Sequence, residues 1–165
     1  MGKRPWNRVD LPVYSISSKA VNGNANMNII TYAQAVSMQP KQFVCAIYQN
    51  TQTLSNVQEN PHFVLQILST HQYRLVELLG KNSGKYINKI ERLAKRKIVT
   101  DWKGFPILKD CIAVIEMKAH PLKIQSGQDI PDHSLFLCDV LSYKNLNTGE
   151  ALSLNILREK NLIRI

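Results

Sequence analysis

The sequence predicts a mostly β protein whose strands form a closed or partly closed antiparallel barrel. Three observations lead to this prediction: many short strand-like runs, turn residues between them, and no regular alternation of strand and helix. A doubly wound parallel sheet requires that alternation, whereas a barrel removes the exposed edges of many short antiparallel strands. The chain has 165 residues, the usual length of one domain. We assign residues 1–165 to one domain, with residues 1–11 as an N-terminal extension.

Seven runs have strand character, and they follow two patterns. Val13–Ser17 and Leu152–Leu157 alternate in polarity, as a strand with two unlike faces does. Phe43–Tyr48 is a short continuous apolar run, which indicates a buried strand. In chain order the predicted strands are Val13–Ser17, Ile29–Val36, Phe43–Tyr48, Phe63–Leu68, Cys111–Met117, Ser134–Leu141 and Leu152–Leu157.

Turn residues separate these strands. Gly23 lies among three asparagines, and both residue types tolerate positive φ. Pro40 ends the strand before it. Asn147-Thr148-Gly149 predicts a hairpin turn between the last two strands.

Three helices are predicted in the middle of the chain. The first, Leu54–Glu59, follows the good N-cap residues Asn50-Thr51-Gln52-Thr53. The second, Gln72–Leu79, has amphipathic spacing and ends at Gly80. The third, Tyr86–Lys97, has a weaker pattern of the same kind.

The chain is strongly basic. Its 21 Lys and Arg against 12 Asp and Glu give a net charge of +9. Such an excess attracts anions such as nucleic acid, acidic membranes or phosphorylated cofactors. A surface that binds single-stranded nucleic acid requires aromatic residues interleaved with basic ones. This chain lacks that pattern, so nucleic acid is the minor alternative.

Cysteine and hydropathy patterns predict a cytoplasmic protein. Cys45, Cys111 and Cys138 each lie in an apolar run and are odd in number, which indicates free buried thiols in a reducing compartment. No two cysteines or histidines stand at metal-ligand spacing, so we predict no metal site. The apolar runs are too short to cross a bilayer and the start of the chain lacks a signal-peptide pattern, so we predict no membrane partner.

Two polar segments are candidates for ligand binding. At Asn50–Thr53, N–H groups and hydroxyls converge at a helix start, where the helix dipole favours a phosphate; the same residues also fit a plain N-cap. Asn26–Ala33 can present polar partners to a planar heterocycle, and it also fits an edge strand with polar capping. Nucleophile elbows and glycine-rich phosphate loops are not found in the sequence.

Six segments follow one another in an order that is characteristic of a known family. They are Asn26-Met27-Asn28-Ile29-Ile30-Thr31-Tyr32, the small-residue run Ala35–Pro40, Phe43–Tyr48 with Asn50–Thr53, Phe63–Leu68 with His71-Gln72, Ser83-Gly84 with Lys89, and Asp132-His133 with the strand after them. In this order and spacing, from about Val13 to Leu157, the chain resembles the flavin reductase-like domains, a branch of the FMN-binding split barrels.

The resemblance implies a split β-barrel of the Greek-key type with a few short helices. It also implies a homodimer with flavin near the subunit interface, FMN as cofactor and NAD(P)H as co-substrate. Thr51 and Thr53, with Asn50, are the residues it places at the phosphate. Around the rest of the flavin it places Asn26, Met27, Asn28, Ile30, Thr31, Tyr32, His71, Ser83, Gly84 and Lys89. His133 is either a nicotinamide contact or a strand-end histidine that bonds to the backbone.

Three hypotheses about function follow. The first is an NAD(P)H-dependent FMN reductase, which passes hydride from nicotinamide to flavin and then to free flavin or a downstream acceptor protein. The second is an FMN-binding electron carrier of the flavoredoxin type, without nicotinamide activity. The third is a non-enzymatic basic module that binds nucleic acid or another anionic partner.

Overall fold

The computed structural model describes residues 4–123 and 130–163. Its strands are β1 (Tyr14–Lys19), β2 (Ala25–Met27), β3 (Ala33–Met38), β4 (Lys41–Tyr48), β5 (His62–Ile67), β6 (Val99–Trp102), β7 (Phe105–Leu108), β8 (Ala113–Pro121) and β9 (His133–Asn145). Seven strands form one antiparallel sheet in the order β2-β1-β5-β8-β9-β4-β3, and β6 pairs with β7 in a separate hairpin.

Short helices connect these strands. They are α1 (Gln52–Glu59), α2 (Lys89–Lys95) and α3 (Leu154–Glu159), with 3₁₀ turns at Pro5–Arg8 and Thr70–Leu75 and a π turn at Glu77–Lys81. Among the described residues, no helix is long and apolar enough to cross a membrane.

Asn28–Tyr32, which we name the barrel seam, joins the two sides of the sheet. Ile30 exchanges two backbone hydrogen bonds with Tyr14 of β1, at 2.8 and 2.9 Å. Two residues later, the Tyr32 carbonyl accepts from the Ala46 N–H of β4 at 2.8 Å. The chain therefore crosses from β1 to β4 within five residues and closes the barrel along this line.

The large sheet buries apolar residues on both of its faces. In β5, Phe63 and Leu65 belong to the apolar cluster of the barrel interior. Val64, between them, belongs to a second cluster that also contains Leu93 of α2 and Leu108 of β7. This follows from the alternation of side chains along a strand. The mostly β, split-barrel prediction is confirmed.

Three predicted elements are wrong in detail. Ile29–Val36 is not one strand, because its first part is the barrel seam and only its second part is β3. Gln72–Leu79 is a 3₁₀ turn followed by a π turn, and the Gln72 side chain accepts the Ser69 N–H within a capping box. The short 3₁₀ and π turns replace the regular helix that the apolar spacing suggested.

The predicted last strand, Leu152–Leu157, is also wrong. Leu152 pairs with neighbouring backbone on both sides, but the chain then turns into α3. The Leu154 N–H donates to the Leu11 carbonyl, and Leu157 is buried one helical turn later. Leu154 and Leu157 are three residues apart, which fits one face of a helix, whereas the strand prediction rested on the alternation of Leu152, Leu154 and Ile156 with polar residues. Asn147–Gly149 therefore leads into this helix and is not a hairpin turn.

Candidate functional site

A cavity of about 550 Å³ lies between the barrel seam, the junction of β4 with α1, and the loop after Leu79. We call it the central cavity. All but two of the residues singled out in the sequence line it: Asn26, Asn28, Ile30, Thr31, Tyr32, Asn50, Thr51, Thr53, Ser83, Gly84, Lys89 and His133. Segments far apart in the chain therefore meet around one volume, in which a ligand of flavin size would fit.

Met27 and His71 do not line this cavity. Met27 follows Asn26 in β2 and so faces the opposite side, where its buried sulfur accepts from the Gln66 amide at 3.6 Å. His71 is exposed on the 3₁₀ turn Thr70–Leu75, outside the cavity of its own chain. The cavity gives no support to a ligand contact by either residue.

The junction of β4 with α1 places free donors at the cavity. Asn50 has a φ of 60°, a left-handed conformation that asparagine tolerates, and it turns the chain from strand to helix. Thr51 is the N-cap: its hydroxyl donates to the Tyr48 carbonyl at 2.8 Å and accepts the Leu54 N–H at 3.2 Å. The hydroxyl of Thr51 thus has the plain N-cap role that the sequence also predicted. The groups that are available to bind a ligand here are the first N–H groups of the helix, because they have no intrahelical acceptor.

Thr53 is held by a contact across the cavity wall. Its buried hydroxyl oxygen accepts from the Asn26 side-chain amide at 3.0 Å, which leaves the hydroxyl proton for another acceptor. Gly84 lies against the same amide, and a Cβ on Gly84 would overlap the Asn26 oxygen. Glycine is required here because only it allows so close an approach.

Lys89 brings a cation to the cavity. It is 4% exposed, and its Nζ donates to the Leu79 carbonyl at 2.6 Å. Burial lowers the pKa of Lys89 to about 8, so the ammonium is still mainly charged at neutral pH. The cavity lining contains Lys81 as a second cation and, within residues 4–123 and 130–163, no carboxylate. An anionic group is therefore the ligand that this wall favours.

The barrel seam offers backbone donors. Alternate residues of the seam bond to protein, as Ile30 does to Tyr14. Within the described part of the chain, the N–H groups of Ile29 and Thr31, which line the cavity, have no backbone acceptor. Unpaired N–H groups need an acceptor, and the carbonyl and nitrogen edge of a heterocycle would supply one.

Tyr32, Tyr48 and His133 line the central cavity where side chains are partly exposed to solvent, and we call this part its mouth. The His133 ring lies 5.2 Å from the ring centres of both Tyr32 and Tyr48, and its Nδ1 is 2.6 Å from an Asp132 carboxylate oxygen. That hydrogen bond lowers the pKa of Asp132. His133 also lines a smaller cavity of about 240 Å³ on its other side. The carboxylate fixes the imidazole between two spaces, as a residue that orients a second ligand would need.

Sequence reasoning missed several lining residues. They are Ala46, Ile47, Tyr48, Gln49, Leu79, Gly80, Lys81 and Asn82, whereas Ile29 and Gln52, which also line the cavity, lie within the predicted segments Asn26–Ala33 and Asn50–Thr53. Tyr48 and Gln49 could have been found, because they continue a buried strand into the Asn50–Thr53 helix start. Leu79 and Gly80 carried no such signal, since they were assigned to a helix end, and Lys81 and Asn82 were assigned to no element.

The family model described as "Flavin reductase like domain" matches residues 6–161. The chain belongs to this family. Among curated proteins, none matches the chain.

Several solved structures have the same fold as this chain. An FMN-binding protein of Thermus thermophilus, solved with 1-cyclohex-2-enone, is 20% identical with a TM-score of 0.69, covering 88% of this chain and 77% of that one. The NADH:FAD oxidoreductase of Streptomyces globisporus is 14% identical with a TM-score of 0.74, covering 91% and 84%. The flavoredoxin of Desulfovibrio vulgaris (Miyazaki F) is 19% identical with a TM-score of 0.69, covering 88% and 76%. At these identities the likeness shows the fold alone.

Proposed function

We propose that this flavin reductase-like protein binds FMN in the central cavity and reduces it with NADH or NADPH. One observation carries the proposal: free helix-start N–H groups, a buried lysine and free seam N–H groups all face one cavity, whose described lining has no carboxylate. A phosphate at one end and a planar ring with acceptor atoms at the other would match these groups.

The phosphate would lie at the start of α1. The N–H groups of Gln52 and Thr53 and the free proton of the Thr53 hydroxyl would donate to it. Lys89 would add a charged donor from the facing wall. Charge-assisted hydrogen bonds of this kind are shorter and stronger than neutral ones.

The ring would lie along the barrel seam, with its acceptor edge toward the N–H groups of Ile29 and Thr31. Bound FMN would supply the redox chemistry, in which NAD(P)H is oxidised to NAD(P)⁺ as its hydride is transferred to the flavin ring. Donors aimed at the ring favour its reduced, anionic form. His133, fixed by Asp132, would orient the nicotinamide at the mouth.

An FMN-binding electron carrier is the second candidate. The flavoredoxin among the similar structures favours it, and so does the mouth, where the Tyr32 and Tyr48 rings flank His133 and narrow the approach of a nicotinamide. A carrier would bind FMN with the same residues but would not be reduced by NADH or NADPH.

A two-fold dimer completes the proposal. An apolar groove of about 330 Å³ runs over β3, β4, β8 and β9, lined by residues that include Phe43, Ile115, Val140 and Tyr143. Met38, which also lines it, is 89% exposed and extends the groove into a contiguous apolar patch, the kind of surface that marks an interaction site. A second copy would cover this groove.

We further propose one domain over residues 1–165 in the cytoplasm, where Cys45, Cys111 and Cys138 would stay reduced.

The deciding experiment is a visible absorption spectrum of the purified protein, followed by reduction under argon. We expect a flavin spectrum that bleaches on addition of NADH or NADPH. A yellow protein that neither nucleotide bleaches, but that dithionite does, would identify the carrier. A colourless protein that FMN does not recolour would overturn both candidates.

Thr53→Val tests the phosphate end. Parent protein should bind FMN about a hundredfold more tightly than riboflavin, because several charge-assisted hydrogen bonds are lost with the phosphate. The variant keeps the side-chain shape and removes the hydroxyl, so FMN should bind roughly tenfold more weakly and riboflavin nearly unchanged. Ser55→Ala, on the same helix and outside the cavity lining, is the control. Equal FMN and riboflavin dissociation constants for the parent in fluorescence titrations would contradict this placement.

A further inference from the structure

One segment outside the barrel carries most of the positive charge of the chain. Residues 81–109 contain nine lysines and arginines and two acidic residues, whereas the rest of the chain contains twelve and ten, so this segment holds +7 of the net charge of +9. It comprises the loop after the π turn, α2 and the hairpin of β6 and β7, and its apolar side chains pack on the face of the large sheet opposite the barrel interior. All of its basic side chains except Lys89 are exposed to solvent.

Four of these cations lie at the C-terminal end of α2, and we call them the α2 basic face: Arg92, Arg96, Lys97 and Lys109. Arg92 and Arg96 are one turn apart. Lys109 follows β7, and its Nζ donates to the Lys97 carbonyl at 2.9 Å, which brings the end of the hairpin next to the end of the helix. Within the described residues, none of the four has a carboxylate within 4.0 Å.

The helix end itself accounts for only part of this cluster. The C-terminus of a helix favours a nearby cation, and the Lys109 ammonium has that role at the Lys97 carbonyl. The other charges of the α2 basic face repel one another, which raises the free energy of the free protein. An acidic surface bound there would remove this repulsion.

The α2 basic face is also close to the central cavity. Lys89, the first residue of α2, lines that cavity, and Arg96 lies about 10 Å further along the helix. Before the helix, the exposed Lys85 and Tyr86 follow Gly84, which lines the same cavity. Tyrosine and arginine are both enriched at protein–protein interfaces. A protein docked on this face would therefore lie beside the flavin site.

Carboxylates within the segment favour a protein over a nucleic acid as the partner. Glu91 pairs with Lys95 on the exposed side of α2 at 2.7 Å, and Asp101 is exposed in the hairpin. An acidic protein can place neutral or basic groups of its own opposite these two carboxylates. A phosphate backbone is negative along its whole length and would be repelled by them.

We propose that the α2 basic face is the docking surface for an acidic protein that accepts electrons from the flavin. The inference rests on the proposed function, because NADH or NADPH supplies the electrons. In each turnover NADH gives up two electrons and one proton and becomes NAD⁺. A partner that contains a ferric haem takes one electron per haem, so two ferric haems become ferrous and one proton is released to water.

The test uses cytochrome c in two forms as the electron acceptor. Native cytochrome c is basic, and succinylation of its lysines makes it acidic without exchanging the haem. FMN-loaded protein and NADH reduce each form under argon, and the dissociation constant of each form is measured separately without nucleotide. Arg92→Glu with Arg96→Glu reverses charge on the α2 basic face. Arg8→Glu with Lys160→Glu makes the same change in net charge at exposed residues outside residues 81–109 and is the matched control.

We expect the parent to reduce the acidic form about tenfold faster than the native form at low salt, and this preference to disappear at about 0.5 M salt, where the charges are screened. The Arg92 and Arg96 reversals should weaken binding of the acidic form about tenfold and abolish the preference, while the control pair changes both by less than about threefold. Both pairs should leave the bleaching of bound FMN by NADH unchanged.

Equal rates for the two forms of cytochrome c would overturn the docking surface, and so would an equal loss in both variant pairs, because the net charge of the whole protein would then explain the preference. A labelled single-stranded oligonucleotide that displaces the acidic form from the parent at about 0.15 M salt would overturn it in favour of nucleic acid.

Failure of the proposed function is distinguishable from failure of docking. If neither NADH nor NADPH bleaches bound FMN in the absence of cytochrome c, the reductase proposal fails. The dissociation constants of the two forms, and their reduction by protein that dithionite has reduced, then still test the docking surface.

Discussion

Lys89 is the residue whose position the sequence could least explain. The sequence shows a lysine near the start of a weakly amphipathic helix, a position that is ordinarily solvated. In the structure, α2 packs its first residue inward, and the ammonium meets the Leu79 carbonyl beside the central cavity. Keeping a charged ammonium there costs desolvation free energy, which an anionic ligand would recover.

The pKa of Lys89 gives opposite pH dependences for folding and binding. Burial lowers it to about 8, so without flavin the unfolded chain holds the extra proton between pH 8 and about 10.4, and stability rises with pH across that window. FMN needs the charged lysine, so its affinity should fall as pH rises through 8. Titrations from pH 7 to about 10 should show this fall for FMN and not for riboflavin. Lys89→Met should abolish it, whereas Lys95→Met, on the exposed face of α2, should retain it.

Kinetic measurements can distinguish a role of His133 in orienting the nicotinamide from a purely structural role. If it orients the nicotinamide, His133→Ala should slow reduction by NADH or NADPH roughly tenfold or more and leave the FMN dissociation constant nearly unchanged. His120→Ala is the matched control, since this histidine also pairs with a carboxylate, Asp139, but lies off the cavity. Stopped-flow traces and melting curves are recorded for both. A parallel fall in melting temperature and FMN affinity, with an unchanged reduction rate, would instead make His133 structural.

At the scale of elements, the junction of β4 with α1 was predictable and the loop facing it was not. A buried strand followed by N-cap residues leaves few alternatives, so Asn50–Thr53 was placed correctly from local sequence. The hairpin of β6 and β7 was missed because its two-residue turn, Lys103-Gly104, has positive φ at both residues, at 53° and 79°, and lysine at the first position does not signal such a turn as asparagine or aspartate does. The helix α3 was also missed, because its conformation depends on long-range packing, which local sequence patterns do not report.

Gly84 offers a test of how closely the facing loop must approach. Gly84→Ala should weaken FMN about tenfold, because the added Cβ overlaps the Asn26 amide that holds Thr53. Gly80→Ala is the control from the same loop: its Cβ would meet Ile29 at an ordinary 3.5 Å. FMN titrations of the two variants check this. Equal FMN affinity in both variants would show that the loop can move away from the added Cβ without weakening FMN binding.

For the whole molecule, the fold class followed from the sequence because antiparallel strands and their turns leave local signals. The order of the strands did not, since β5 pairs with β8 across more than forty residues. The site lies between these levels. Its residues were recognisable one by one, but their meeting around one cavity depends on the barrel seam, which crosses from one side of the sheet to the other.

Assembly is tested at the same scale. Met38→Glu places a charge beside the apolar groove, so it should convert a dimer into a monomer in light scattering at micromolar concentration. FMN affinity should fall with it if the flavin lies near the interface. Val21→Glu, also at a highly exposed apolar residue but away from the groove, should leave the dimer intact. A parent that is monomeric with full FMN occupancy would contradict the dimer.

The barrel seam also limits how this scaffold can diversify. One set of its backbone groups makes the hydrogen bonds that close the barrel, and the alternate set faces the cavity. A change in the seam that widens the ring site therefore also weakens the hydrogen bonds that close the barrel. Selection for a bulkier ring would therefore act against folding at these five residues. The loop around Gly84 and the aromatic residues Tyr48 and His133 lie outside the seam and do not have this second role. Differences in ring preference between this chain and its relatives are expected to accumulate there, while the seam changes slowly.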